Sequence, residues 1–199
     1  MFTGIVESKA KLVEIKPYQS NISFVFESDL AREFKVDQSV SHNGVCLTVE
    51  KIEGNQYQVT AIEETLMKTN LGALRVGDFA NLERSMKADA RFDGHIVQGH
   101  VDQIGHCKKI TDLNGSWQID IMYDLTLGNI TVEKGSICLN GISLTVFNSL
   151  EDGFSVAIIP YTWTHTNLNA LKEGDKVNLE FDIVGKYLAK LLKPFVGKM

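Results

Sequence analysis

Apolar and polar residues alternate in short runs along most of this chain, and a period of two is typical of β-strands with one buried face. Residues 21–26 and 57–62 both alternate in this way. Glycine and aspartate separate such runs at intervals of about 8–12 residues, as in the turn Glu53-Gly54-Asn55. The pattern predicts an all-β sandwich or barrel.

The remaining elements follow from the same alternation and from turn and cap signals. Short helical turns are predicted at 30–34, after a Ser28-Asp29 cap, and at 64–71. Further strands are predicted at 3–15, 39–52, 80–84, 105–110, 116–122 and 154–159.

One stretch occurs twice. Asn43-Gly44-Val45-Cys46-Leu47-Thr48-Val49 returns 97 positions later as Asn140-Gly141-Ile142-Ser143-Leu144-Thr145-Val146. The shorter groups T-N-L, G-D and N-L-E recur at the same spacing, and 3–7 resembles 98–102. Two copies are too few for a solenoid. We therefore expect a duplicated domain, with an N-terminal copy at 1–96, a second copy at 97–182 and a tail at 183–199.

The tail has a helical pattern that neither copy contains. Its apolar residues fall at helical spacing and form one stripe on a helix of about ten residues, which Pro194 is expected to end. The stripe consists of Ile183, Val184, Tyr187, Leu188, Leu191 and Leu192. It either packs on its own barrel or joins identical helices of other subunits.

Composition narrows the classes of function. Apolar residues make up 44% and charged residues 23%, as in an ordinary globular protein. A net charge of −5 argues against nucleic-acid or anionic-membrane partners. No apolar run reaches the roughly 20 residues of a membrane span, and the start lacks a signal-peptide pattern. Three cysteines without C-x-x-C spacing predict neither disulfides nor a zinc site, so a cytoplasmic location is expected.

The two copies differ at three chemically important positions. Cys46 corresponds to Ser143, Ile5 to His100, and Glu64 to Tyr161. Two similar pockets with unequal reactive groups would suit a reaction between two identical molecules in different roles. A duplicated structural barrel with drifted residues explains the same differences.

The motifs MFTGIVE, NGVCLTV, GHVD and NGISLTV, with the T-N-L, G-D and N-L-E echoes, resemble the riboflavin synthase family from residue 1 to about residue 187. This resemblance implies two similar six-stranded antiparallel Greek-key β-barrels plus a C-terminal helix. It implies a homotrimer, with each active site between the N-barrel of one subunit and the C-barrel of its neighbour. Lumazine synthase is a further partner that the resemblance suggests.

The implied reaction is the last step of riboflavin biosynthesis, a dismutation of two 6,7-dimethyl-8-ribityllumazine molecules. One gives a four-carbon unit to the other, which yields riboflavin and 5-amino-6-(D-ribitylamino)uracil. The resemblance implies no cofactor and no metal. The chemistry needs removal of a proton from the 7-methyl group, a nucleophile or activated water at ring carbon 7, and two rings held together.

Residues that match the family's catalytic positions are Cys46, His100, Ser143, Thr145, Ser39 and Asp182. A histidine suits proton transfer at neutral pH, and a thiolate could add to carbon 7 or only shape the pocket. Phe2 is expected over a ring, and the backbone of the segments at Gly4 and Gly99 is expected to face the lumazine. His95 is expected at the surface or behind the site, and Cys107 and Cys138 as buried apolar residues.

Residues expected to line the substrate site come from both copies. They are Phe2, Gly4, Ile5, Val6, Leu47, Thr48, Ala61, Ile62, Glu63, Glu64, Thr65, Gly99, Val101, Lys134, Leu144, Ile159, Pro160, Tyr161 and Thr162.

Two rival functions remain. The lumazine proteins of light-emitting bacteria resemble this family but only hold the chromophore, and those relatives lack much of the polar set present here. A flavin-reductase barrel would need a nicotinamide-binding domain, for which no residues remain.

Overall fold

The computed structural model describes residues 1–196, with side chains described as far as residue 192. The first six strands are Ser8–Tyr18 (β1), Asn21–Glu27 (β2), Ser39–His42 (β3), Val45–Glu53 (β4), Gln56–Ala61 (β5) and Phe79–Arg84 (β6). The next six are Gln103–Asp112 (β7), Trp117–Met122 (β8), Ser136–Leu139 (β9), Ile142–Phe147 (β10), Gly153–Ile158 (β11) and Lys176–Phe181 (β12).

Three α-helices and four 3-10 helices complete the described chain. The α-helices are Glu63–Lys68 (α1), Pro160–His165 (α2) and Ile183–Val196 (α3). The 3-10 helices are Asp29–Glu33, Asn70–Ala73, Leu125–Leu127 and Asn167–Ala170.

Each set of six strands closes into an antiparallel barrel. The N-barrel runs in the order β1-β2-β5-β4-β3-β6, and the C-barrel contains the equivalent neighbours, β7-β8-β11-β10-β9-β12 around its ring. The connection from β2 to β3 crosses the barrel end, as in a Greek key. Two six-stranded antiparallel barrels and a C-terminal helix were predicted, and this fold class is confirmed.

Each barrel has a hydrophobic core of its own. In β5 the inward residues Tyr57, Val59 and Ala61 are buried, and the residues between them are partly exposed. The C-barrel core includes Ile121 and Val156, which are also almost completely buried. Alternation with a period of two therefore filled both interiors, as the sequence pattern predicted.

The predicted strand at 3–15 begins and ends too early, because β1 runs from Ser8 to Tyr18. Residues 3–6 leave their own barrel and lie against the other one. Val6 packs on the C-barrel core, and its counterpart Val101 packs on the N-barrel core. The first segment of each repeat therefore crosses to the opposite barrel.

Other predicted boundaries also shift. The first helical turn is a 3-10 helix that begins at Asp29, and the Ser28 side chain makes no capping bond. The prediction that Pro194 ends the tail helix is wrong, since α3 continues to Val196. Proline fixes φ at a helical value and removes one backbone N–H, and α3 continues for two residues beyond Pro194.

The two Asn-Gly turns of the repeated stretch meet where the barrels join. A Cβ at Gly44 would lie 2.9 Å from the Gly141 nitrogen, and one at Gly141 would lie 2.7 Å from the Gly44 nitrogen. Both glycines have positive φ, +81° and +79°. Only glycine satisfies the left-handed backbone and the close approach together.

Buried asparagines bond the two barrels to each other in a symmetric pattern. Asn81 Nδ2 donates to the carbonyl of Asn140 at 2.9 Å, and Asn178 Nδ2 donates to the carbonyl of Asn43 at the same distance. Asn70 and Asn167 add further amide bonds across the junction. The repeated N-G, T-N-L and N-L-E groups therefore serve the contact between barrels, because their asparagines are the residues that cross it.

Helix α3 leaves its apolar stripe uncovered. Val184, Leu188 and Leu191 are 54%, 53% and 64% exposed, and Tyr187 and Leu192 are similarly exposed. The alternative that this stripe packs on its own barrel is therefore wrong. Lys186 on the opposite side fixes the helix start through an ion pair of 2.6 Å to Asp102. No helix within residues 1–196 has the length and apolar character to cross a bilayer.

The N-barrel core contains one polar pair that the C-barrel replaces with apolar residues. His42 Nε2 lies 2.8 Å from the Tyr57 hydroxyl, and both side chains are buried. Burial lowers the pKa of His42 to about 4. The equivalent positions in the C-barrel hold Leu139 and Phe154.

We expect this histidine to make the protein less stable in acid. The pKa of His42 in the folded protein lies below its unfolded value of 6.5. Its contribution to stability is therefore fully present above pH 6.5, and the free energy of unfolding falls by roughly 3 kcal/mol towards pH 4. The double variant His42→Leu/Tyr57→Phe, which copies the C-barrel, should lose this dependence in urea titrations at several pH values. Carboxylates titrate equally in both proteins, so they do not affect the difference between the two free energies of unfolding. A difference that stays constant from pH 6.5 to pH 4 would contradict the assignment.

Candidate active site

The outer face of β4 forms the first wall of the candidate site. Its residues alternate, with Leu47 and Val49 in the core and Cys46 and Thr48 turned outward. Ser39 on β3 lies directly opposite Thr48 in the strand register. The N-barrel therefore presents a thiol and two hydroxyls on one surface.

The outer face of β10 forms the equivalent wall of the C-barrel. Ser143 is partly exposed and Thr145 is exposed, and Ser136 lies opposite Thr145. Lys134 precedes β9 with a positive φ of 64°, and its amide donates to the Val146 carbonyl at 2.9 Å. The predicted hydroxyl pair therefore lies on one face, with Lys134 at its edge.

The first segments of the two repeats, residues 3–6 and the equivalent residues 98–101, lie directly on these walls. The Cys46 amide donates to the Gly99 carbonyl at 2.9 Å, and the Ser143 amide donates to the Gly4 carbonyl at 2.8 Å. A Cβ at Gly99 would lie 2.6 Å from the Cys46 Cβ. The crossing brings His100 next to the N-barrel wall and Ile5 next to the C-barrel wall, and both side chains are exposed.

Two buried carboxylates hold the segments in place. Glu180 accepts the amides of Gln98, Gly99 and His100 at 2.6, 2.9 and 2.8 Å. Glu83 accepts the Thr3 and Gly4 amides in the same way, at 2.6 and 2.9 Å. Burial raises the pKa of both carboxyls, and the backbone bonds partly oppose this rise. Neither glutamate was predicted as a site residue, although the repeated N-L-E group contained the signal.

These bonds correct the expectation for the segment backbone. The amides of Gly4, Gly99 and His100 are used by the glutamates, and the carbonyls of Gly4 and Gly99 are used by the walls. The backbone groups that remain available to a ligand are those of Ile5 and Val6 in one segment. In the other segment they are the His100 carbonyl and the backbone of Val101.

Several predicted lining residues point away from any ligand. Phe2 is fully buried beside Val97 and Cys46, so it supports the Cys46 wall from behind and does not lie over a ring. Leu47 and Ala61 point into the N-barrel core, and Leu144 packs on the C-barrel core. Any ligand contact at Leu47 or Ala61 would involve the backbone, whereas the Leu144 side chain is partly exposed.

The first turns of α1 and α2 follow β5 and β11, the strands paired with β4 and β10. Ile62 and Tyr161 are 54% and 69% exposed. Glu64 pairs with Lys68 at 2.8 Å, and Tyr161 stacks on His165 with ring centroids 4.1 Å apart. The other predicted residues of these turns are Glu63, Thr65, Ile159, Pro160 and Thr162, all at least partly exposed.

His95 is the histidine that sequence reasoning underrated. It is 8% exposed, which rules out the surface position, and its Nδ1 lies 2.7 Å from the Ser143 hydroxyl oxygen. Burial lowers the pKa of its imidazole, and the negative charge of Asp182 acts in the opposite direction. Asp182 also caps α3, since its carboxylate accepts the Val184 amide at 2.9 Å.

Other residues lie where expected or away from the walls. Cys107 and Cys138 are buried, as predicted, and burial raises the pKa of Cys107 to about 11. One hollow of about 810 Å³ lies between the barrels beside Asn70 and Asn167, away from the walls. A second hollow of the same volume is lined by Thr3, Ile5 and Glu83 of the first segment, together with Glu33 and Arg84. Neither of these two hollows is lined by Cys46 or Ser143, and Thr48 and Thr145 are exposed on their walls.

The family described as Lumazine binding domain matches residues 3–85 and 98–182, one match in each barrel. The chain therefore belongs to the class of proteins built from two lumazine-binding domains. Riboflavin synthase of Actinobacillus pleuropneumoniae is 41% identical over 193 residues, 96% of this chain and 90% of the relative. That of Escherichia coli K12 is 39% identical over 92% of this chain and 87% of the relative. The chain belongs to the riboflavin synthase family.

The fold is also found in solved structures of LumP. The crystal structure of LumP with riboflavin has a TM-score of 0.84 and 23% identity, and covers 91% of this chain and 99% of that one. LumP with 6,7-dimethyl-8-(1'-D-ribityl) lumazine gives a TM-score of 0.82 and 21% identity, over 90% and 98% of the two chains. At this identity the likeness concerns the fold alone.

Gly99→Ala should disrupt the contact between the segment and the wall. Gly54 has a similar positive φ of +66° with nothing within 4 Å of an added Cβ, so Gly54→Ala measures backbone strain alone, about 1 kcal/mol. We expect Gly99→Ala to lower the free energy of unfolding by at least about 2 kcal/mol more than Gly54→Ala does, because of the added clash with Cys46. Equal losses for the two variants in urea unfolding would contradict this packing.

Proposed function

We propose that this protein catalyses the dismutation of two molecules of 6,7-dimethyl-8-ribityllumazine to riboflavin and 5-amino-6-(D-ribitylamino)uracil. The observation that carries the proposal is the presence of two equivalent walls with unequal reactive groups. One has Cys46 and His100, and the other has Ser143 and Ile5 at the same places. Two identical molecules bound in this way would meet different chemistry, as a donor and an acceptor require.

Each wall is assigned a set of roles. His100 takes part in proton transfer at the 7-methyl group, because an exposed imidazole beside the wall can reach a bound ring. Cys46 adds to carbon 7 or shapes the pocket, and the hydroxyls of Ser39, Thr48 and Thr145 bind ring nitrogens or carbonyls. The other polar residues assigned to the site are Ser143, Asp182 and Lys134.

Assembly completes the site in this proposal. Thr48 and Thr145 of the two walls are exposed in one copy, and holding two rings in a reactive orientation needs contacts to both of them. Contact between the N-barrel of one subunit and the C-barrel of its neighbour would provide the second face. The uncovered stripe of α3 supports a homotrimer, since residues such as Tyr187 and Leu191 are more than half exposed in a single chain.

Three further points stay predictions. We expect no cofactor and no metal in the reaction, a cytoplasmic location, and association of the trimer with lumazine synthase as an additional partner.

The reaction itself can be tested by incubating the protein with the lumazine without oxygen. Catalysis predicts formation of riboflavin, detected by its absorbance, together with an equal amount of the aminouracil. Tight binding without yellow product would favour the rival function of a chromophore-binding module and would overturn the proposal.

His100→Ala and Cys46→Ala should each remain folded and reduce turnover at least about tenfold, a loss of about 1.4 kcal/mol in transition-state stabilisation. His106→Ala is the matched control, since His106 is an exposed histidine on β7 outside the walls. Steady-state rates at saturating lumazine measure the effect. Unimpaired turnover in both wall variants would refute their roles.

Deletion of residues 183–199 should give monomers with poor activity, because the apolar stripe would be lost and the open walls would have no neighbour. Light scattering measures the mass and the lumazine assay measures the rate. Lys190→Glu, which changes an exposed charge on the same helix, is the control for charge alone. A trimer after deletion would contradict the role of α3 in assembly.

A further inference from the structure

The C-barrel wall contains a buried histidine that no assignment above uses. His95 Nδ1 and the Ser143 hydroxyl oxygen are 2.7 Å apart, a distance typical of a strong hydrogen bond. Ser143 projects from the wall itself, while His95 lies behind it and is 8% exposed. The imidazole therefore contacts the site through a hydroxyl group.

The backbone around His95 leaves little freedom for the ring to move away. The His95 amide donates to the Thr3 carbonyl at 3.1 Å. A Cβ at the preceding Gly94 would lie 1.9 Å from that same carbonyl oxygen and 3.1 Å from the Ser143 Cβ. Glu83 fixes Thr3 in turn, through bonds of 2.6 and 2.8 Å. His95 is thus placed by the same buried carboxylate that holds the first segment.

The surroundings favour a neutral imidazole that accepts a hydrogen bond from the serine hydroxyl. Burial lowers the pKa of His95, although Asp182 opposes this with its charge. A neutral ring has one donor and one acceptor nitrogen. Among the described residues, Ser143 is the only hydrogen-bond partner of the ring, so Nε2–H can face solvent while Nδ1 accepts. The hydroxyl oxygen then keeps its lone pairs for the site.

We infer that His95 is a positioning residue of the C-barrel site, which orients the Ser143 hydroxyl by accepting its proton in a hydrogen bond. Ser143 and His95 then form a hydroxyl–imidazole set, and the negative charge of Asp182 acts on the ring without a hydrogen bond to it. A hydrogen bond between a hydroxyl and an imidazole orients the hydroxyl in other enzymes. This inference rests on the proposed lumazine reaction.

The set also distinguishes the two walls. The N-barrel has Cys46 in place of Ser143 and Ser85 in place of Asp182. No hydrogen bond joins an imidazole to Cys46 within the described chain. The oriented hydroxyl is therefore a feature of the C-barrel alone, and it supplies a structural reason for two identical molecules to react differently.

Two substitutions separate orientation from packing. His95→Leu removes the acceptor with similar bulk, and we expect kcat to fall at least about tenfold while KM changes less than about threefold. His95→Asn returns a polar atom close to the position of Nδ1 and should recover part of kcat. Near-UV circular dichroism and light scattering establish that both variants are folded. Wild-type kcat in His95→Leu, or an asparagine variant no better than leucine, would overturn the inference.

A double-mutant cycle tests whether His95 acts through Ser143. If it does, His95→Leu/Ser143→Ala should be no slower than the slower single variant. In the control cycle, His95→Leu/Cys46→Ala, the two losses should multiply, because the residues belong to different walls. Multiplied losses in the first cycle would refute the coupling.

Nitrogen-15 NMR of the wild-type imidazole provides a readout that does not depend on turnover. A signal for an unprotonated Nδ1 that changes in Ser143→Ala supports the inference, and a protonated Nδ1 overturns it. A wild-type protein that forms no riboflavin would instead refute the proposed function, while the NMR result would still decide the hydrogen bond.

Discussion

The crossing of the first segment of each repeat to the opposite barrel is the constraint on which the rest of the structure depends. Glu83 and Glu180 hold the two segments by their backbone amides, and each segment bonds to the wall of the other barrel. A buried carboxylate costs free energy unless it is hydrogen-bonded, so these bonds favour one position of the segment. His100, Ile5 and His95 all take their places from this crossing.

The junction between the barrels explains why so many residues recur in the two copies. Buried amide groups must find partners, and Asn43 and Asn140 meet Asn178 and Asn81 across the junction in a symmetric exchange. Loss of one partner would leave buried donors unpaired, at about 1–3 kcal/mol each. The shared asparagines and glycines are therefore explained first by folding, whereas the proposed difference between the two walls rests on the residues that differ.

Unequal chemistry on equivalent walls is the way in which a duplicated fold can treat two identical ligands differently. Comparison of the copies identified Cys46 against Ser143 and Ile5 against His100 directly from sequence, because a constant shift aligns them. It left His95 either at the surface or behind the site, because His95 falls between the two matched regions, 3–85 and 98–182. Comparison of the copies contains no signal for a residue outside the matched regions, and the hydrogen bond of His95 spans 48 positions of the chain.

The sequence by itself determined the barrels, the duplication and the polar residues of the two walls. Alternation with a period of two specifies which side of a strand is buried, and these are local properties of the chain. The tertiary structure decided which barrel each segment contacts, that Phe2 is buried, and that the stripe of α3 is uncovered. Such contacts join residues far apart in the chain, and their geometry is fixed only when both barrels pack together.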